Sequence, residues 1–178
     1  VTGIAERRYK KARALALAFC YSRFMNTNVV QIRLAESRDM ASLTDLAFRS
    51  KASVGYDEDF MEACRQELTY TATTLAQGDT WLAERDGKLQ GFAEIRVSDG
   101  VAEVYAMFVE PEAKRCGIGR RLWDILEQRA RHLAVKAIEL DADPSAVSFY
   151  ESMGCEVIGE APSGSIAGRM LPRMRKWL

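Results

Sequence analysis

Val109 to Leu122 reads VEPEAKRCGIGRRL, and its residue types suit the binding of a phosphate anion. Pro111 cannot donate to a sheet ladder, so it ends the strand that leads in. Gly117 and Gly119 open a predicted helix, where several backbone N–H groups lack helical partners and point outward. The helix dipole adds partial positive charge at that end. The glycines let the backbone approach a phosphate with no Cβ in the way. Lys114, Arg115, Arg120 and Arg121 surround the loop with cationic side chains. A pyrophosphate is the natural guest. A Walker A loop would end in Gly-Lys-Ser/Thr, whereas this chain has Gly119-Arg120-Arg121. A dinucleotide-binding fingerprint would need glycine where Leu122 stands.

A second string, DPSAVSFYESMGC, runs from Asp143 to Cys155. Pro144 opens a helix at its first turn and Gly154 closes it. The two strings resemble two motifs of the Gcn5-related N-acetyltransferases, the GNAT family. The first motif is Gln/Arg-x-x-Gly-x-Gly/Ala after a strand ending Val-x-Pro, and Lys114 to Gly119 occupies it, with Lys114 in place of Gln or Arg. The second is Asn-x-x-Ala-x-x-Phe-Tyr-x-x-x-Gly-Phe, with Asp143 replacing the Asn and Cys155 the last aromatic. The resemblance spans Gln31 to Leu178, and the motifs follow in order ~25 residues apart.

The resemblance implies an N-acetyltransferase that moves an acetyl group from acetyl-CoA to a primary amine by direct attack in a ternary complex. Acetyl-CoA would be a co-substrate, and no metal is implied. The central strands, 101–110 and 137–142, would splay into a V that holds acetyl-CoA. Its pantetheine would pair with the backbone of Met107, Phe108 and Val109. Its pyrophosphate would sit on Lys114, Arg115, Cys116, Gly117, Ile118, Gly119 and Arg120. Asp143 would stand where the family makes a CoA-side hydrogen bond. Homodimers are common in the family, so a homodimer is the expectation. A non-catalytic acyl-CoA-binding or sensing module of the same fold is the alternative, because a fold does not dictate an activity.

Amine acylation needs two proton movements. An ammonium of pKa ~10 must lose a proton before it attacks, and the departing thiolate benefits from a nearby acid. Tyr150 is the candidate acid, since it matches the tyrosine of the second motif; a buried aromatic with a satisfied hydroxyl is the plainer reading. Glu103 is the candidate base, acting through a water. Strand alternation places it on the same face as Tyr105 and Met107. Glu94 on the neighbouring strand is its rival, and a chain of waters is a third route. Tyr56 and Asp57, with Glu58 and Asp59, lie between the first two predicted helices, which in the family flank the acceptor groove. They could attract a cationic amine or form a solvated acidic loop. Cys116 sits among cations before a helix, as a reactive thiol or a bland loop residue. His132 near a helix end suits an interaction with the dipole.

These residues need a scaffold to converge. Val29 to Leu34 reads as a strand. Helices are predicted from Asp39 to about Phe48 and from Asp59 to Leu68, with a loop at 51–57. Strands follow at 80–85, 88–97 and 101–110, joined by turns at Asp86-Gly87 and Ser98-Asp99-Gly100. A helix runs from the glycine loop to about Leu133, with Leu122, Ile125, Leu126 and Ala130 facing inward. A short strand at 137–140, the Pro144 helix, a strand at 155–159 and a last strand at 169–178 complete the chain. The order predicts an α/β class fold with a mixed sheet and helices on its faces, not a doubly wound one.

Composition narrows the function. Lys plus Arg equals Asp plus Glu at 25 each, so no net field draws the chain to nucleic acid. The single histidine argues against a zinc site. Cys20, Cys64, Cys116 and Cys155 show no finger or CxxC spacing, which fits a reducing cytoplasm. The basic stretch Arg7 to Arg13 precedes an apolar run, Ala14 to Cys20, that is too short to span a bilayer. Residues 1–24 are therefore read as a helical extension, either an accessory or a start-site artefact, and 25–178 as the acetyltransferase domain that the resemblance implies.

Overall fold

Two Asp-Gly pairs build the centre of the sheet. Asp86 and Gly87 have φ of 53° and 71°, and Asp99 and Gly100 have 52° and 76°. Both residues of each pair thus adopt the left-handed region that a tight two-residue hairpin demands. The computed structural model describes residues 29–178, so the predicted extension at 1–24 and its boundary lie outside the described residues.

The strands are β1 (Gln31–Leu34), β2 (Asp79–Arg85), β3 (Lys88–Ser98), β4 (Val101–Val109), β5 (Ala137–Asp141), β6 (Glu156–Pro162) and β7 (Met170–Trp177). Helices α1 (Met40–Ala52), α2 (Glu58–Ala63), α3 (Arg65–Leu68) and α4 (Ala72–Leu75) fall between β1 and β2, α5 (Ile118–His132) follows β4, and α6 (Val147–Ser152) follows β5. The sheet order is β1-β2-β3-β4-β5-β7-β6. Every pairing is antiparallel except β4 with β5, which is parallel. The mixed sheet expected from the sequence is present.

α5 packs on one face. Ile118, Leu122, Trp123, Leu126 and Ala130 are buried at helical spacing and meet Ala93, Ile95, Val104, Ile138 and Leu140. Trp123 takes the place predicted for Ile125, which is only half-buried. Burying each large side chain contributes about 1.5–3 kcal/mol. The helix stops at Leu133, and Ala134 takes a left-handed φ of 54° while donating to Arg131. Arg129, Arg131 and His132 lie in the last turn, where positive charge complements the dipole. On the other face Leu43, Leu46, Ala47, Cys64, Leu68 and Tyr70 cover Leu82 and Phe92.

Among the helices before β2, three features differ from the sequence reading. α1 continues to Ala52, four residues past Phe48, because Ser50 is buried and the helix stays packed. The helix predicted at 59–68 starts at Glu58 and is interrupted by a turn at Cys64. α4 was not expected; Thr71 and Thr74 exchange the reciprocal bonds of a capping box that starts it.

Candidate active site

β4 and β5 are in register only at Val101↔Ala137, Ala102↔Ile138 and Glu103↔Glu139. Beyond Glu103, β4 stays paired with β3, while β5 stays paired with β7 out to Asp141. The two central strands therefore part into a V. Among the described residues, the edge of β4 that faces β5 has no strand partner from Val104 to Val109, so its backbone can pair with an extended ligand. Met107, Phe108 and Val109 lie on that stretch.

The open end of β4 leads into the basic loop. Pro111 to Ala113 form one 3-10 turn, and Gly117 caps α5 with φ of 80°. A Cβ at Gly117 would meet open space, so its need for glycine comes from the backbone conformation. At Gly119 a Cβ would come within 3.3 Å of the Phe149 ring, so the first turn of α5 packs tightly on α6. Lys114, Arg115, Cys116, Gly117 and Arg120 are exposed, while Ile118 is buried beneath them. Arg115 also takes a positive φ, 61°. Among the described residues, Arg115, Arg120 and Arg121 have no carboxylate partner, and Lys114 donates only to Ser53 Oγ at 2.6 Å. Cations without a carboxylate partner beside the N–H groups of a helix start suit an anion.

Tyr150 lies on α6, which the arm of β5 carries. Trp123 and Phe149 flank its ring at 5.8 and 5.1 Å between centroids. The residue is 7% exposed, and its hydroxyl bonds to no other described residue, yet it is not among the fully buried unpaired atoms. Among the described residues the hydroxyl has no hydrogen-bond partner, which leaves it free to donate to a bound group. Burial, followed by the negative charge of Cys155 and Asp143, pushes its pKa well above the ordinary 10.0. It stays protonated through neutral pH.

Glu103 departs from the sequence reading. The β3–β4 register pairs Ile95 with Val104 but Glu94 with Ala106, so Tyr105 is an extra residue. This bulge reverses the alternation of β4. Ala102 and Val104 belong to the α5 core before it, and Met107 and Val109 after it. Glu103 is therefore on the opposite face from Met107, against the simple alternation expected. Its carboxylate receives two bonds from Arg173, at 2.5 and 2.9 Å. Glu94 is 1% exposed and equally engaged, receiving Arg96 at 2.5 Å and the Tyr70 hydroxyl at 2.8 Å. The Arg96 guanidinium lies 3.3 Å from the centre of the exposed Tyr105 ring.

Loop 53–57 bridges the two arms of the V. The Tyr56 hydroxyl donates to Asp143 at 2.6 Å and accepts from Arg169 at 2.7 Å, and its ring stacks on Phe60 at 3.9 Å. Asp143 also accepts from the Ser145 N–H and hydroxyl, at 3.0 and 2.7 Å. Burial would raise the Asp143 pKa, but these donors hold it below the ordinary 3.8. Asp57 caps α2, accepting the Phe60 N–H at 2.9 Å. Loop 53–57 is thus tied to the basic loop through Ser53 and to the β5–α6 turn through Tyr56. Sequence reasoning missed Arg169 and Arg173. A period-2 reading of Arg173 and Arg175 against Glu139 and Asp141 would have pointed to the second.

A family model described as an acetyltransferase (GNAT) domain matches residues 40–176. The chain is 37% identical over 84 residues to the peptidyl-lysine N-acetyltransferase YiaC of Escherichia coli (strain K12), covering 47% of this chain and 54% of that protein. It is 26% identical over 151 residues to the 5-NmdU N-acetyltransferase of Pseudomonas phage PaMx11, covering 84% of this chain and 100% of that one. The match to the mycothiol acetyltransferase of Streptomyces avermitilis, 39% identical over 79 residues, spans 42% of this chain and 26% of that protein. Among solved structures, a GCN5-related N-acetyltransferase from Rhodopseudomonas palustris superposes with a TM-score of 0.72 at 22% identity, over 85% of this chain and 98% of that one. The PaiA N-acetyltransferase from Thermoplasma acidophilum, in complex with coenzyme A, gives 0.67 at 22% identity, over 84% and 99%. At these identities the structures establish a shared fold. The family model spans most of the sheet, both arms of the V and the helix that opens on the glycine loop: the chain belongs to the GNAT acetyltransferase family.

Proposed function

We propose that the protein transfers an acetyl group from acetyl-CoA to a primary amine by direct attack in a ternary complex. The observation that carries this reading is the V itself, with the free edge of β4 running into the basic loop at α5. The residues fit acetyl-CoA. Met107, Phe108 and Val109 offer backbone to the pantetheine. The N–H groups at 117–120, with Lys114, Arg115 and Arg120, suit the pyrophosphate. Cys116 and Ile118 contribute main chain to the same turn.

Tyr150 supplies the proton. As the amine nitrogen bonds to the acetyl carbon and the carbon–sulfur bond breaks, its hydroxyl donates to the departing sulfur. Glu103 and Glu94 each have both oxygens occupied, so neither is free to take the amine's proton without giving up an ion pair. Water in the open cleft therefore accepts it. Tyr56 closes the acceptor side, where Asp57 adds negative charge beside the loop. Two relatives are named N-acetyltransferases of peptidyl-lysine and of 5-NmdU, which supports an amine acceptor of broad class. Cys64, Cys116 and Cys155 are free thiols, which supports a reducing, cytoplasmic setting. A homodimer is the proposed assembly, checked by mass measurement in solution. Among the described residues no helix is long and apolar enough to cross a membrane, and no group of side chains could hold a metal.

Initial rates with acetyl-CoA and amine varied together test the mechanism. Intersecting reciprocal plots are expected; parallel plots would indicate an acetyl-enzyme and overturn direct attack.

A further inference from the structure

We propose that Arg173 is a positioning residue that sets the angle at which β4 and β5 part. The inference rests on the acetyl-transfer reading above. The last pair in register between the two strands is Glu103↔Glu139, two carboxylates side by side. Like charges at facing positions repel, which favours separation from that point on. Arg173 reaches in from β7 and joins them. It holds Glu103 with two bonds, Glu139 at 2.7 Å and Asp141 at 3.0 Å, with its own side chain 22% exposed. One guanidinium thus ties the arm of β4 to the arm of β5 at the apex of the V. Its planar fork makes this possible; a lysine ammonium cannot hold a carboxylate with two parallel bonds.

The two carboxylates depend on Arg173 unequally. Glu139 has a second partner, receiving Arg175 at 2.7 Å. Glu103 has no other side-chain partner among the described residues, because the facing Arg96 is spent on Glu94. Losing Arg173 would therefore remove the side-chain tie of Glu103 to β5 and leave β4 held there by its three backbone pairs. β4 carries the backbone proposed to hold the acyl donor, and β5 leads to Tyr150. The angle between them fixes the distance from the hydroxyl to the sulfur. The pyrophosphate loop follows directly from the end of β4 and moves with that strand, so its hold on the phosphates should change less than the distance to Tyr150.

Arg173→Gln and Arg173→Lys test this. Turnover should fall on the order of tenfold to a hundredfold in Arg173→Gln, as expected of a slightly misplaced proton donor. The KM for acetyl-CoA should stay within about twofold of wild type. Lysine should recover turnover only in part. The double variant Arg173→Gln/Glu103→Gln removes the stranded charge, should fold, and should stay slow. Wild-type turnover in Arg173→Gln, or full recovery in the double variant, would overturn the proposal. So would a thermal midpoint that falls while turnover per folded molecule stays constant. Amide exchange without substrates separates this from the functional reading. Exchange at 137–141 should accelerate in Arg173→Gln, and unchanged exchange overturns the proposal whether or not the wild type transfers acetyl groups.

Discussion

Tyr150 carries the sharpest expectation at the scale of one residue. Its hydroxyl has no partner among the described residues and remains protonated, so Tyr150→Phe removes a donor without opening a cavity. Turnover should fall by about 10²-fold with the acetyl-CoA KM nearly unchanged, measured by steady-state kinetics. Equal turnover at several pH values would contradict the role. Glu103 leads to the opposite expectation. With both oxygens on Arg173, Glu103→Gln should leave the shape of the pH–rate profile intact, and loss of its basic dependence would restore Glu103 as base. Cys116 is exposed, whereas Cys64 and Cys155 are buried and burial pushes Cys155 up to about 11. A thiol reagent at neutral pH should label Cys116 first of these three, and CoA should slow it; peptide mapping checks both. Tyr150 was legible in the sequence because its motif is a local string. The hold of Arg173 on Glu103 was not, because the two lie 70 residues apart and only the sheet brings them together.

The elements explain what could be read and what could not. The Asp-Gly hairpins announced themselves, since few residues accept two consecutive left-handed positions. The glycine loop announced α5 in the same way. The bulge at Tyr105 left no mark, because VAEVYAMFV contains neither glycine nor proline. That single extra residue overturned the face assigned to Glu103. For the loop, Gly117→Ala forces a Cβ into a left-handed cap at a cost of about 1–2 kcal/mol. The acetyl-CoA KM should rise while turnover at saturation stays close to wild type. A fall in turnover with unchanged KM would place the pyrophosphate elsewhere. α5 itself depends on its apolar stripe: Leu126→Ala should cost about 2–5 kcal/mol in denaturant unfolding, because Leu126 is fully buried.

Across the whole molecule, charge is balanced in sum but concentrated in ion pairs that hold the sheet. Burial alone would raise the Glu139 pKa, yet Arg173 and Arg175 hold it below the ordinary 4.5. The bonds from Arg33 lower Asp39 below its ordinary 3.8 in the same way. Carboxylates depressed on folding stabilise the native state above their unfolded pKa, and that contribution is lost as pH falls through the lower folded value. Stability should therefore be level above about pH 5 and decline below it. Denaturant midpoints across that range check the sign; constant midpoints down to pH 3 would contradict it. The V, the basic loop and Tyr150 come together from β4, α5 and α6, as the proposed acetyl transfer to an amine requires. Its most direct test is thiol release from acetyl-CoA against a panel of amines, with the acetylated product identified by mass. Amine-dependent release that Tyr150→Phe depresses is expected; tight CoA binding with no release on any amine would overturn acetyl transfer and favour a binding module.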